Sequence, residues 1–145
     1  MRACLSTLWS ASGGRSNFGR VTDILVIGFD PHTIPGFDPA PVAAGIEQGS
    51  RAFAELGLTE DLFLVDFAEL DGRAQAKLVE KLEARKYDCV VVGGGIRKGP
   101  GLLELFQVVV NEVHWRQPEA AIAFNDSPGD SPDWVLKALE QKRKS

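Results

Sequence analysis

Residues Cys89-Val90-Val91-Val92 form an apolar, mostly β-branched run with no polar alternation, and Gly93-Gly94-Gly95 follow at once. A run of that kind makes a strand buried on both faces, the habit of parallel sheets covered by helices on each side. Glycines after such a strand let the chain turn tightly and let the backbone come close to a bound group. Arg97 and Lys98 come next, then Gly99-Pro100-Gly101 and a helical pattern. A helix starting just beyond turns its free N–H groups back toward the same spot, so the stretch reads as a βα turn able to hold an anion.

Three other segments repeat this βα grammar. Residues 23–29 (DILVIGF) read as a first central strand, 62–67 (LFLVDF) as a second with Asp66 at its C-terminal end, and 120–124 (AAIAF) as a fourth. Pro31, Pro35 and Pro39 make the segment after the first strand a long shaped loop with no helix. The first helix is expected from about Pro41 through Leu56, with Gly57 as its stop. The second runs from Arg73 to Arg85, capped by Asp71, and the last from Pro132 to about Lys142, with Ser131 as N-cap. The third is expected from about Gly101 to Arg116. Its apolar residues cover most of its circumference, leaving a narrow polar strip of Glu104, Gln107, Asn111 and Glu112.

The resulting βαβαβαβα order, joined by right-handed crossovers, predicts an α/β fold of three layers, Rossmann-like or flavodoxin-like. Its four-stranded parallel sheet is expected in the order 2-1-3-4. In such sheets ligands bind beyond the C-terminal strand ends where the winding reverses. Here that point lies between the loops following strands one and three.

Composition narrows the classes. A length of 145 residues suits one compact domain with a real core. The first 20 residues contain Arg2, Arg15 and Arg20 and none of the 20 acidic residues, so the remainder carries a net charge of −7 against −4 for the whole chain. Residues 1–20 therefore read as a flexible basic arm, similar in composition to a transit segment, and 21–145 as a single α/β domain. The acidic balance argues against nucleic acid as a partner. No apolar stretch approaches the roughly 18 to 20 residues that cross a bilayer. Cys4 and Cys89 alone make neither a disulfide framework nor a metal-ligand pattern, which fits a reducing, cytoplasmic setting.

The candidate site residues gather at the sheet's C-terminal edge. Gly93, Gly94, Gly95, Arg97 and Lys98 are positioned to contact a phosphate or carboxylate, with Arg97 able to bind it bidentately. Asp30 and His32 stand one residue apart on the facing loop, where His32 can act as general acid or base with Asp30 orienting it. The same pair, with Gly36, is similar to a cobalamin-binding loop, but the glycine lies one residue too far along and the serine-rich partner segment is missing. Asp66 is placed to meet a ribose hydroxyl and Asn125 to close the far wall. Each has a plainer alternative: a βα turn, an Asp-Pro turn, a solvated strand end and a cap. Cys89 reads as a small core residue, and His114 and Trp115 as core or interface.

Taken in order and spacing, DILVIGFDP, LFLVDF, DCVVVGGGIR and AIAFND resemble a group of short, uncharacterised Rossmann-like α/β proteins. The resemblance covers residues 23–139 and implies a fold but no activity. The expected function is binding of a small anionic metabolite or nucleotide, with Asp30 and His32 available for acid–base catalysis. No cofactor is indicated. The alternative is a non-catalytic interaction protein, a homodimer joined through the apolar third helix.

Overall fold

The computed structural model describes residues 21–145, so the basic arm lies outside the described residues. Four strands, β1 (Thr22–Phe29), β2 (Leu58–Val65), β3 (Cys89–Val92) and β4 (Ala121–Phe124), pair in parallel in the order β2-β1-β3-β4. This is the expected three-layer arrangement. Helices α1 (Ala40–Glu55) and α5 (Ser131–Lys144) cover one face, and α2 (Arg73–Ala84), α3 (Gly94–Lys98) and α4 (Leu103–Arg116) cover the other.

Strand periodicity divides the core. Leu25, Ile27, Val90 and Val92 point into the layer filled by Leu78, Leu82, Ile96, Val109 and Val113. Ile24, Cys89 and Val91 point the other way, onto Phe53, Val135 and Ala138. Every residue of β3 is buried, as its unbroken apolar run requires.

Several boundaries differ from the sequence expectation, each for a local reason. β2 starts at Leu58 rather than Leu62: it is an edge strand, so Thr59 and Asp61 can join the ladder and keep access to water, while Glu60 is half-buried. It ends at Val65, which leaves Asp66 to cap a single 3-10 turn by accepting from the Ala68 N–H at 2.9 Å. The proline-rich loop also holds one 3-10 turn, Pro31–Thr33, capped by Asp30. The expected third helix is present as α4, starting at Leu103, and an additional short helix, α3, precedes it. Gly94 and Gly95, expected as loop, open α3, and Gly99, Pro100 and a left-handed Gly101 (φ 72°) separate the two helices. Ser131 is the first residue of α5 rather than its cap.

The surplus apolar surface expected on the third helix is largely covered. α4 packs on α2, α3 and β3 together, so Leu105 and Phe106 reach the core cluster along with Val109 and Val113. Glu112, expected on the solvent strip, is buried between helices. It accepts from Arg116 Nε at 2.7 Å and from Gln75 Nε2 at 3.1 Å. The hydrogen bond from Arg116 holds its carboxyl below the usual carboxylate range. His114 and Trp115 are exposed, not core.

Candidate functional site

The ends of β1 and β3 stand side by side, Ile27 opposite Val92, so the chain leaving each strand passes the same place. A cleft of about 690 Å³ opens there. It runs from the glycine turn down the α1 face of the sheet, with Val26, Leu62 and Leu64 on one wall and Val42 and Ile46 on the other. Its volume lies within the few hundred to one thousand Å³ typical of small-molecule sites.

The α1 wall explains why the cleft exists. Val42, Ile46, Gly49 and Phe53 form the inward stripe of that helix at helical spacing. At the C-terminal half Phe53 is buried against the sheet, while at the N-terminal half Val42 and Ile46 are only half-buried and face the opening. Phe29 and Phe67, with ring centroids 6.0 Å apart, complete the rim where β1 and β2 end. Thr33 fastens this rim: its hydroxyl donates to Asp30 O at 2.8 Å and accepts from Phe67 N at 3.0 Å.

The cleft brings together part of the expected residue set. Gly93, Gly94, Gly95, Lys98 and Asn125 all line it. Gly93 is required by close packing, since a Cβ there would lie 2.9 Å from Ile27 O of the neighbouring strand. Asn125, almost fully buried, joins the two sides of the turn. Its Oδ1 accepts from Gly94 N at 2.7 Å and its Nδ2 donates to Ser131 Oγ at 2.8 Å.

Arg97, Asp30, His32 and Asp66 do not line the cleft. The Arg97 guanidinium donates from Nη2 to Asn125 O at 2.6 Å and stands 3.6 Å from the Asp126 carboxylate, while its Nε is buried without a hydrogen-bond partner among the described residues. It clasps α3 to the segment after β4 rather than offering a free fork to a ligand. His32 Nδ1 lies 3.3 Å from Asp30 Oδ1, which fits an orienting contact, but the imidazole is mostly solvent-exposed and only Pro31 of that turn reaches the cleft.

The charged groups on the wall are Lys98, Asp126 and Glu60. Among the described residues Lys98 Nζ makes only long contacts to Asp126, 3.4 Å to the carbonyl and 3.8 Å to the carboxylate, and is more than half exposed. That leaves it able to meet another anion, since exposed pairs of this kind contribute little. Glu60 stands at the opposite end, low on β2. Burial pushes its carboxyl up, an effect its hydrogen bond from Ser50 offsets in part. Burial, with the Asp88 charge adding, raises the Cys89 thiol to about 12, so the thiol stays protonated and is no nucleophile.

The sequence reading missed the apolar walls. Val42, Ile46, Leu62 and Leu64 were legible as helix or strand residues but not as a surface left open. A usable signal was present in the proline-rich loop, whose Ile34 and Phe37 are large apolar residues in a segment that has no core of its own to fill.

Among the described residues, no helix is long and apolar enough to cross a membrane and no cluster of His, Cys, Asp and Glu could hold a metal. No protein-family model matches the chain, and no curated protein matches it either.

Proposed function

We propose that this chain binds a small anionic molecule in the cleft at the C-terminal edge of its sheet, with Lys98 meeting the charge. The observation that carries this reading is the position of the cleft. It lies at the reversal point between the loops after β1 and β3, where open α/β sheets take their ligands. The glycine turn and Asn125 shape the wall beside Lys98. Arg97 belongs to the scaffold in this reading, and Asp30 with His32 stands outside the binding surface, so the proposal is one of binding and includes no acid–base step.

A thermal-shift screen of carboxylates, sugar phosphates and nucleotides tests it. A ligand at about 100 times its dissociation constant adds roughly 2.7 kcal/mol of stability. Lys98→Ala is expected to weaken the best hit by about tenfold, the worth of one charge-assisted hydrogen bond, with no loss of fold. Arg97→Ala is expected to lower stability more than affinity. The opposite pattern, with affinity lost in Arg97→Ala and kept in Lys98→Ala, would return the anion to Arg97.

A homodimer is the second reading, and its support has moved to one corner of the molecule. Among the described residues β4 is an edge strand, Phe124 at its end is partly exposed and packs against Phe106, and Leu103, one turn earlier on α4, is 75% exposed. Light scattering at micromolar concentration is expected to show a mass near twice 15.7 kDa, reduced to the monomer by Leu103→Glu. A monomer mass in the parent chain removes this reading.

A further inference from the structure

Two glycines on the cleft wall are not required by the fold. Gly28 lies in β1 on the same face as Val26, its φ is not positive, and a Cβ there would meet nothing closer than Leu64 Cδ2 at an ordinary 3.7 Å. Gly95 lies within α3, and a Cβ there would meet only Phe29 Cδ2 at 3.9 Å. Glycine in a strand or helix interior is unfavourable relative to alanine, so each position gives up stability without a packing reason. What the two share is that any side chain would take volume from the cleft.

The shape of that volume is elongated. Leu64 is in register with Gly28 at the glycine-turn end, and Glu60 with Ile24 four residues lower, a run of about 13 Å at the usual strand rise. Between these ends the walls are hydrocarbon, and Leu62 and Phe37 remain more than a third exposed on them. Lys98 stands at one end, 3.8 Å from the Asp126 carboxylate, and Glu60 at the other, where no cation among the described residues lines the wall, so the Lys98 end is the one that would take a ligand's carboxylate.

We infer that the cleft takes a medium-chain carboxylate, its alkyl chain lying along β1 and β2 beneath α1 and its carboxylate at Lys98. This rests on the binding reading above and adds the apolar body. Inorganic phosphate or a polar nucleotide would leave the hydrocarbon walls wet. An alkyl chain covers them, and each added methylene is expected to tighten binding roughly fourfold.

The test is calorimetry of the full chain with butanoate, octanoate, octanol and inorganic phosphate, repeated on Gly28→Val, Leu62→Glu and Lys98→Ala. Octanoate is expected to bind far more tightly than butanoate, and phosphate to give no signal. Gly28→Val is expected to lose at least tenfold in octanoate affinity while its urea midpoint stays level or rises, because a β-branched residue suits a strand. A loss of affinity through damaged folding would lower that midpoint instead. Leu62→Glu places a charge on a partly exposed wall position, so it repeats the measurement should the valine fail to fold. Lys98→Ala is expected to weaken octanoate but not octanol.

Butanoate and phosphate binding as tightly as octanoate, with Gly28→Val unchanged, would overturn the apolar body and leave the anion site standing. Octanol matching octanoate in both parent and Lys98→Ala, with loss in Gly28→Val, would keep the apolar body and overturn the anion contact. No signal from any of the four compounds would overturn both.

Discussion

Gln117→Ala is expected to lower the free energy of unfolding by about 4 kcal/mol, among the largest effects available to one polar side chain in this molecule. Gln117 follows α4 and is buried. Its Nε2 donates to Leu82 O and to Arg85 O, each at 2.7 Å, and its Oε1 accepts from Tyr87 N at 3.0 Å. Leu82 and Arg85 belong to the end of α2, where the last carbonyls of a helix have no partner within it. The side chain thus caps α2 from some thirty residues away and also fixes the chain entering β3. Truncation leaves three backbone groups unpaired at about 1–3 kcal/mol each, less whatever water entering the gap restores. Urea unfolding read by circular dichroism measures the loss as a lower midpoint at unchanged slope. Tyr87→Phe is the control. It removes only the hydroxyl bond to Asp61 Oδ2 at 2.7 Å, at a partly exposed site, and is expected to cost about 1 kcal/mol. If Gln117→Ala unfolds within 1 kcal/mol of the parent chain, the remote cap contributes nothing of this size.

This cap marks the limit of what the residues alone disclose. The strand cores were readable because their signal is local, short apolar runs each with its turn chemistry beside it, whereas the polar start of β2, Thr59 to Asp61, carries no such signal. The crossover rule gave the parallel sheet with helices on both faces, and the order 2-1-3-4 came from the flavodoxin-like arrangement. Contacts between distant side chains and backbone carbonyls have no local signature, so the expectation for Arg97 suffered and Gln117 drew no expectation at all. Arg97 looked like a free fork because the carbonyl it clasps belongs to Asn125, twenty-eight residues later. The segment GGIRK looked like loop because glycine is a poor helix former. It is helical because Asn125 and the neighbouring strand hold its first turn, through Gly94 N to Asn125 Oδ1 and Gly93 N to Ile27 O at 2.8 Å. The open cleft was hidden for the opposite reason. Val42 and Ile46 carry the same helical spacing as Phe53, and spacing says which face turns inward but not whether anything meets it.

Asn125→Ala is expected to cost about 3 kcal/mol and to loosen the candidate site with it. Asn125 is a junction: its Oδ1 receives Gly94 N, its Nδ2 gives to Ser131 Oγ, and its own carbonyl receives Arg97 Nη2. Alanine removes the first two bonds and leaves the third, so α3 stays tied to the segment after β4 through Arg97 and the long Lys98 contacts to Asp126. A drop in melting temperature of roughly 10 °C is the expected reading for a domain of this size. Ser131→Ala removes one of the same bonds and should cost about 1 kcal/mol. Asn125→Asp keeps the acceptor for Gly94 N but buries a charge, and is expected to fall between the two near neutral pH. The decisive measurement is the double-mutant cycle with Arg97→Ala. Both side chains fasten the same joint, so the two losses should not add, and an interaction energy of about 1 kcal/mol or more is expected. Additivity within about 0.5 kcal/mol would mean that Arg97 and the Asn125 side chain act independently, and that the glycine turn does not depend on the clasp.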